Sequence, residues 1–298
     1  LTFWLRPAFA LRVVGRFQRI VGFDRSMALA STALSALVPL ALLVSSVLGG
    51  LARPDLAQRT VRRYGLTGGG ADAVTALFSS GLSSNPGLGV TGAVLLVIST
   101  LSFARAAQRL VEQTWELSPL SVRNTANELR WAAGLAAYLA VTGWLHAALP
   151  RGRLDLAATL CEVPVTAAFL LWSGRVLSAK RLGPRSVFPF AVLGAVLAAA
   201  YAVGTTVYLP HLFSSYATRY GPVGAVIAML SALFGAMLVL VGSAALGREV
   251  VDELDRIRHG RRPPDDDVRR EWDNVIAQAR QRWQSARREL GRRSRRRG

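Results

Sequence analysis

The 298-residue sequence has one cysteine, Cys161, three histidines, and few charged residues, only 18% of the total. The lone cysteine excludes a disulfide scaffold. His146, His211 and His259 lie far apart in the chain and form no local metal-ligand cluster. Acids are scarce too, 18 against 36 Lys+Arg, for a formal charge of +18. A soluble chain usually carries about 25% charged residues. Intrinsic disorder is excluded by the apolar content of 51%. A chain this basic with so few charges must gather them into a few segments. Walker A, H-E-x-x-H and G-x-S-x-G patterns are absent, so no enzymatic activity and no cofactor are expected. Gly87-Leu88-Gly89-Val90-Thr91-Gly92 matches G-x-G-x-x-G, with Glu112 beyond it. A dinucleotide site would need a strand before that stretch. Asn85-Pro86 precedes it and an apolar run follows, so it reads as the glycine-rich entry to a helix.

What the chain does have is long runs without charge. A bilayer-spanning helix needs ~20 mostly apolar residues to cross ~30 Å of hydrocarbon. Six runs qualify, near residues 27–51, 88–110, 131–149, 155–177, 187–210 and 223–247. The fold class expected is all-α: a polytopic membrane protein with six transmembrane helices. Orientation follows from the basic residues, which collect on the cytoplasmic side. With a cytoplasmic N-terminus, 29 of the basic residues fall inside and 7 outside. Both termini are therefore expected in the cytoplasm. Residues 1–23 scatter arginines among apolar residues, so no cleavable signal is expected in them.

Three regions result: residues 1–25, 26–250 and 251–298. The first reads as an amphipathic interfacial helix. Phe9, Val13, Phe17 and Ile20 form an apolar stripe, and Arg12, Arg16 and Arg19 lie on another face, suited to anionic lipid headgroups. The competing reading is a helix packed on a partner. In the last region, His259 to Pro264 breaks the helix leaving the sixth span. Asp265 to Asp267 then favour a new helix start. Trp272, Val275, Ile276, Ala279, Trp283, Ala286 and Leu290 follow at helical spacing, with arginines around them. This basic tail reads either as a second interfacial helix, with Trp272 and Trp283 at the lipid surface, or as a solvated tail that enforces orientation. A nucleic-acid partner is not expected, because no recognition motif accompanies the charge.

Glu162 is the most informative polar residue, about 10–12 Å into the fourth span at 1.5 Å per residue. An intramembrane carboxylate costs about 2.5–3.5 kcal/mol at the helix centre and should face protein or water. Pro164 frees the Leu160 carbonyl in the same turn. The group reads as a polar pocket for a proton or a cationic or hydroxylated group, or as a carboxyl bonded to a neighbouring helix. Arg109 and Glu112, on the helix leaving the second span, read as a solvated extension or as a cytoplasmic gate. Small residues at four-residue spacing let helices approach closely in lipid. Gly224, Ala228, Ala232 and Ala236 form one such face, and Ala28, Thr32 and Ala36 another.

The order of these features resembles the YihY/BrkB family of bacterial inner-membrane proteins, once labelled ribonuclease BN. Arg25, Ala28-Leu29-Ala30 and Leu37-Val38-Pro39-Leu40 resemble its first-span pattern. Tyr208, Pro210 and Tyr220-Gly221-Pro222-Val223-Gly224-Ala225-Val226 resemble its later segments, and Gly242-Ser243-Ala244 its last-span motif. The chain departs at Ser31, Thr32, Glu112 and Ala244, and so looks like a divergent member. The resemblance implies six spans and a role in envelope transport, without nuclease activity. The expected function is a transporter, exporter or lipid translocator. The alternative is a non-catalytic scaffold binding anionic lipid or a cytoplasmic partner. Expected partners are anionic inner-leaflet lipids and a small-molecule or lipid substrate. Self-association to a homo-oligomer is left open.

Overall fold

A computed structural model describes residues 7–49, 86–119, 125–148 and 155–259, and scattered tail residues between 269 and 280. The described secondary structure is helical throughout: α1 (Pro7–Arg19), α2 (Gly22–Gly49), α3 (Pro86–Thr114), α4 (Thr125–Ala148), α5 (Asp155–Leu177) and α6 (Pro184–Arg258). Prolines open α1, α3 and α6, where a missing N–H costs no helical bond. The G-x-G-x-x-G stretch lies in the first turns of α3, on helical backbone.

Helix ends are set by local geometry. After α3 the Leu117 N–H donates to the Glu112 carbonyl at 2.7 Å, with Glu116 at φ 54°. After α5 the Lys180 N–H donates to the Arg175 carbonyl at 2.7 Å, with Ala179 and Lys180 also at positive φ. Both are six-to-one closures with left-handed terminal residues. Between α1 and α2, Val21 turns the chain at φ 55°.

The helical backbone of α6 runs unbroken through 75 residues, yet it folds back on itself. Tyr201 Oη donates to the Ala232 carbonyl at 2.6 Å, and Gly194 lies against Ser243. Gly247 abuts the Phe190 backbone. These contacts pair an outgoing arm, Pro184–Leu209, with a returning arm, Val226–Arg258. The fifth and sixth runs of the sequence thus form an antiparallel pair. Packing is otherwise pairwise, with α2 on α3 and α6, and α5 on α4 and α6.

Four described segments are long and apolar enough to cross a membrane by length and composition: Gly92–Thr114, Thr159–Leu177, Pro184–Leu209 and Val226–Arg258. Their outer faces are also apolar. Val94, Val97, Ile98, Leu160, Phe188 and Val207 are exposed, each more than 50%. Such helices are hydrophobic all round, as spans in lipid are. The buried core lies toward one end of the bundle. There Trp115 meets Phe190 edge-on at 5.7 Å, among Leu110, Val111, Leu177, Val187 and Val241.

The two small-residue faces differ in outcome. Gly224 and Ala228 are buried, Ala232 accepts the Tyr201 bond, and Ala236 lines the cavity described below. The α2 face is a correction. Ser26, Leu29 and Ala30 are the buried positions, while Ala28 is exposed and Thr32 and Ala36 are half-buried. Four-residue spacing marks a stripe without saying which stripe turns inward. Larger Leu29, next to Ala28, gains more by burial and sets the rotation.

A Cβ at Gly247 would overlap the Phe190 backbone, which cannot swing aside as a side chain could. Gly247→Ala is expected to cost about 1–3 kcal/mol through overpacking, seen as a lower unfolding temperature in detergent. Gly143 has open space around it. Gly143→Ala is expected to be neutral or slightly stabilising. Equal unfolding temperatures for Gly247→Ala and the unsubstituted protein would contradict the close approach.

Candidate functional site

A cavity of about 380 Å³ runs between α3, α4, α5 and both arms of α6. Along α5 its wall is Glu162, Thr166, Phe169, Leu170, Ser173, Gly174 and Leu177, the helical spacing of one face. From Glu162 to Leu177 that face extends about 22 Å at 1.5 Å per residue. Phe103 from α3, Trp131, Leu135 and Tyr138 from α4, and Phe190, Tyr201 and Leu240 from α6 complete most of it.

Aromatic stacking shapes the α4–α5 wall. Tyr138 stacks on Phe169 with centroids 4.5 Å apart and planes 13° apart. Trp131 lies between Phe103, at 5.7 Å, and Phe169, at 6.4 Å. The polar atoms in these rings are matched. Trp131 Nε1 donates to Ser173 Oγ at 3.0 Å, and the Tyr138 and Thr166 hydroxyls share a bond of 3.0 Å. The cavity surface is left almost wholly apolar, with Glu162 as its charged member.

Glu162 is half-buried, and its Oε2 stands 3.7 Å from His146 Nε2 on α4. The other ring nitrogen, Nδ1, lies 2.8 Å from the Thr142 carbonyl. A carbonyl only accepts, so Nδ1 carries hydrogen. Pro164 is exposed on α5, one turn from the cavity face. Both readings of Glu162 therefore meet in one place. It reaches a cavity, and a neighbouring helix supplies its partner. The sequence left His146 without a role. It stands shortly before the α4–α5 connection and Glu162 shortly after it, and two antiparallel neighbours bring such positions level.

A second polar cluster lies at the far end of the bundle. Arg12 Nε meets Glu249 Oε1 at 3.0 Å, and its Nη2 meets Glu253 Oε2 at 2.9 Å. Arg16 Nε meets Glu249 Oε2 at 3.2 Å, and its Nη2 bonds Asp252. Arg248 and Arg256 close the group from α6 itself, on Asp252 at 2.8 Å and Glu253 at 2.9 Å. Arg12 and Arg16 are both 8% exposed, and Glu249 is 2% exposed. Their assignment to a lipid surface is thereby corrected. Buried carboxylates on α6 need cationic partners, and the arginines of α1 turn inward to supply them. Arg19, one turn on, is exposed.

Nearby, Glu112 is buried, accepts from Gln108 Nε2 at 2.8 Å, and stands 3.7 Å from Arg181. Arg181 also donates to the Ser118 carbonyl at 2.7 Å, tying the α5–α6 connection to the end of α3. Arg109 is exposed. Burial first, and then the Arg109 guanidinium, lower the Arg25 pKa from its ordinary value. Arg105 pairs with buried Glu128 of α4 at 3.2 Å. In the tail, Trp272 is exposed on helical backbone, and Trp283 lies outside the described residues. Among the described residues no group of three or more His, Cys, Asp and Glu could hold a metal ion.

Comparison with known proteins adds one match. The family model described as Virulence factor BrkB matches residues 13–264. No curated protein and no solved structure matches the chain.

Removing one partner of a buried pair leaves an uncompensated charge, at a cost of about 3–5 kcal/mol. Arg12→Met is expected to lower the unfolding temperature in detergent sharply. Glu249→Gln in the same chain should restore part of the loss, because the stranded charge goes with it. A double variant as damaged as the sum of the two singles would show that Arg12 and Glu249 act independently.

Proposed function

We propose a function from one premise: the chain belongs to the virulence factor BrkB family. It is a membrane protein with long apolar helices, and in our reading a transporter, exporter or lipid translocator of the cell envelope. The observation that carries this is the elongated cavity between α3, α4, α5 and α6, with a carboxylate at one end. A bundle serving only as a scaffold has no need of such a space, since interiors normally pack without voids larger than a water molecule.

The finer architecture belongs to the same proposal. The six apolar runs each cross an inner membrane, and both termini lie in the cytoplasm. Glu162 and His146 then sit toward the outer side, and the Arg12–Glu249 cluster lies at the cytoplasmic end. That cluster, with Arg181 and Glu112, would close the path on the inside. The chain acts without enzymatic chemistry of its own. The second reading is a scaffold for anionic lipid or a cytoplasmic partner. It draws support from Trp272, exposed on helical backbone beside a run of arginines.

Reconstitution into liposomes tests the proposal. The protein is expected to move a fluorescent phospholipid between leaflets or to carry protons across. Gly194→Trp, which fills the cavity beside Leu170, should abolish whichever activity is found. Neither activity in tight, protein-bearing vesicles would favour the scaffold. A tail reporter accessible from the periplasm would overturn the topology.

A further inference from the structure

Resting on the transport reading, we propose that the cavity binds a single-chain amphiphile with a cationic amine head, whose ammonium donates to both Glu162 and His146. The shape selects the chain. About 380 Å³ lies along the Glu162–Leu177 face, which extends about 22 Å, a form that suits an extended chain. Phe103, Trp131, Phe169 and Leu240 offer it an apolar wall. Ligand sites of this size are generally apolar, with a few placed polar groups that orient the ligand.

The head is selected at the Glu162 end. His146 Nδ1 donates to the Thr142 carbonyl, so a neutral ring presents a lone pair at Nε2. That nitrogen stands 3.7 Å from a carboxylate oxygen. Two acceptors facing each other repel. A donor placed between them removes that repulsion. An ammonium brings three donors and one positive charge. It can satisfy Glu162 and the Nε2 lone pair together, with the Tyr138 and Thr166 hydroxyls one turn further along.

The binding is non-covalent, with no bond made or broken. Among the described residues, the titratable groups facing this end are Glu162 on α5 and His146 and Tyr138 on α4. Tyr201 of α6 lines the same cavity with its hydroxyl engaged by Ala232. A carboxylate-headed chain would set like charge against Glu162.

The test measures binding, separately from flux. The full chain in nanodiscs of zwitterionic lipid is titrated with a brominated long-chain alkylamine, and tryptophan quenching is followed. The carboxylate of equal length and a short brominated amine serve as comparisons. The long amine should bind about tenfold or more tightly than either. Trp131→Phe should remove most of the saturable quenching. Glu162→Gln should erase the preference for amine over carboxylate. His146→Gln, with the fold checked by circular dichroism, should weaken amine binding while keeping the preference for the long chain. Equal affinity for amine and carboxylate, or unchanged selectivity in Glu162→Gln, would overturn the head assignment. A short amine binding as tightly as the long one would overturn the chain assignment. Selective binding without any flux would sink the transport reading and leave this site standing. Flux without selectivity would do the reverse.

Discussion

Glu249 lies on α6 with only 2% of its surface exposed, and a buried carboxylate must be neutralised. Arg12 and Arg16 reach it from the opposite end of the chain, more than two hundred residues away. Most of the arrangement at that end depends on this requirement. It fixes the rotation of α1 and brings the tight Ile20–Val21 turn beside the bundle. It holds the start of α2 near the last helix. Asp252 and Glu253 extend the same logic along α6, each shared between an α1 arginine and an α6 arginine. Charges sparse in the sequence are thereby gathered where the apolar helices end.

Much of this architecture was legible in the sequence. The charge-free runs coincide with helices, because hydrocarbon demands both apolar side chains and internally bonded backbone. Asn85-Pro86 marked the entry to α3. The bilayer logic also singled out Glu162, an isolated acid in an apolar run. Pairings across long separations were not legible. An amphipathic α1 with arginines on one face satisfies a lipid surface and a buried acidic face equally well. Only Glu249, Asp252 and Glu253, read as one helical face, could have tipped the choice, and the boundary drawn at residue 250 divides them. The Ala28 stripe failed for a related reason. Small side chains permit a close approach without requiring one, and the neighbouring Leu29 drives the burial.

The His146–Glu162 pair lies between these cases. Each residue was noted alone, but adjacency of α4 and α5 is what joins them. A short connection between two antiparallel spans brings residues at similar distances from it to similar depths. That rule could have paired His146 with Glu162 before any coordinates, though not the ring orientation. The orientation comes from the Thr142 carbonyl, which holds Nδ1 and leaves Nε2 toward the carboxylate.

The two charged clusters differ in a way that bears on movement. Arg12 and Arg16 share several carboxylates, and each acid has more than one cationic neighbour. Opening that end means separating several partly buried pairs together, which is costly in a low-dielectric setting. His146 and Glu162 form a single pair at 3.7 Å, with side chains 17% and 23% exposed. One end of the bundle is thus held by a redundant network, and the Glu162 end of the cavity by one contact. An incoming ligand can compete with the single pair at modest cost, whereas the network yields only when α1 and α6 move apart. On the transport reading proposed above, ligand would therefore enter at the Glu162 end first. Release at the other end would require displacement of α1, whose attachment to α6 rests on those ion pairs.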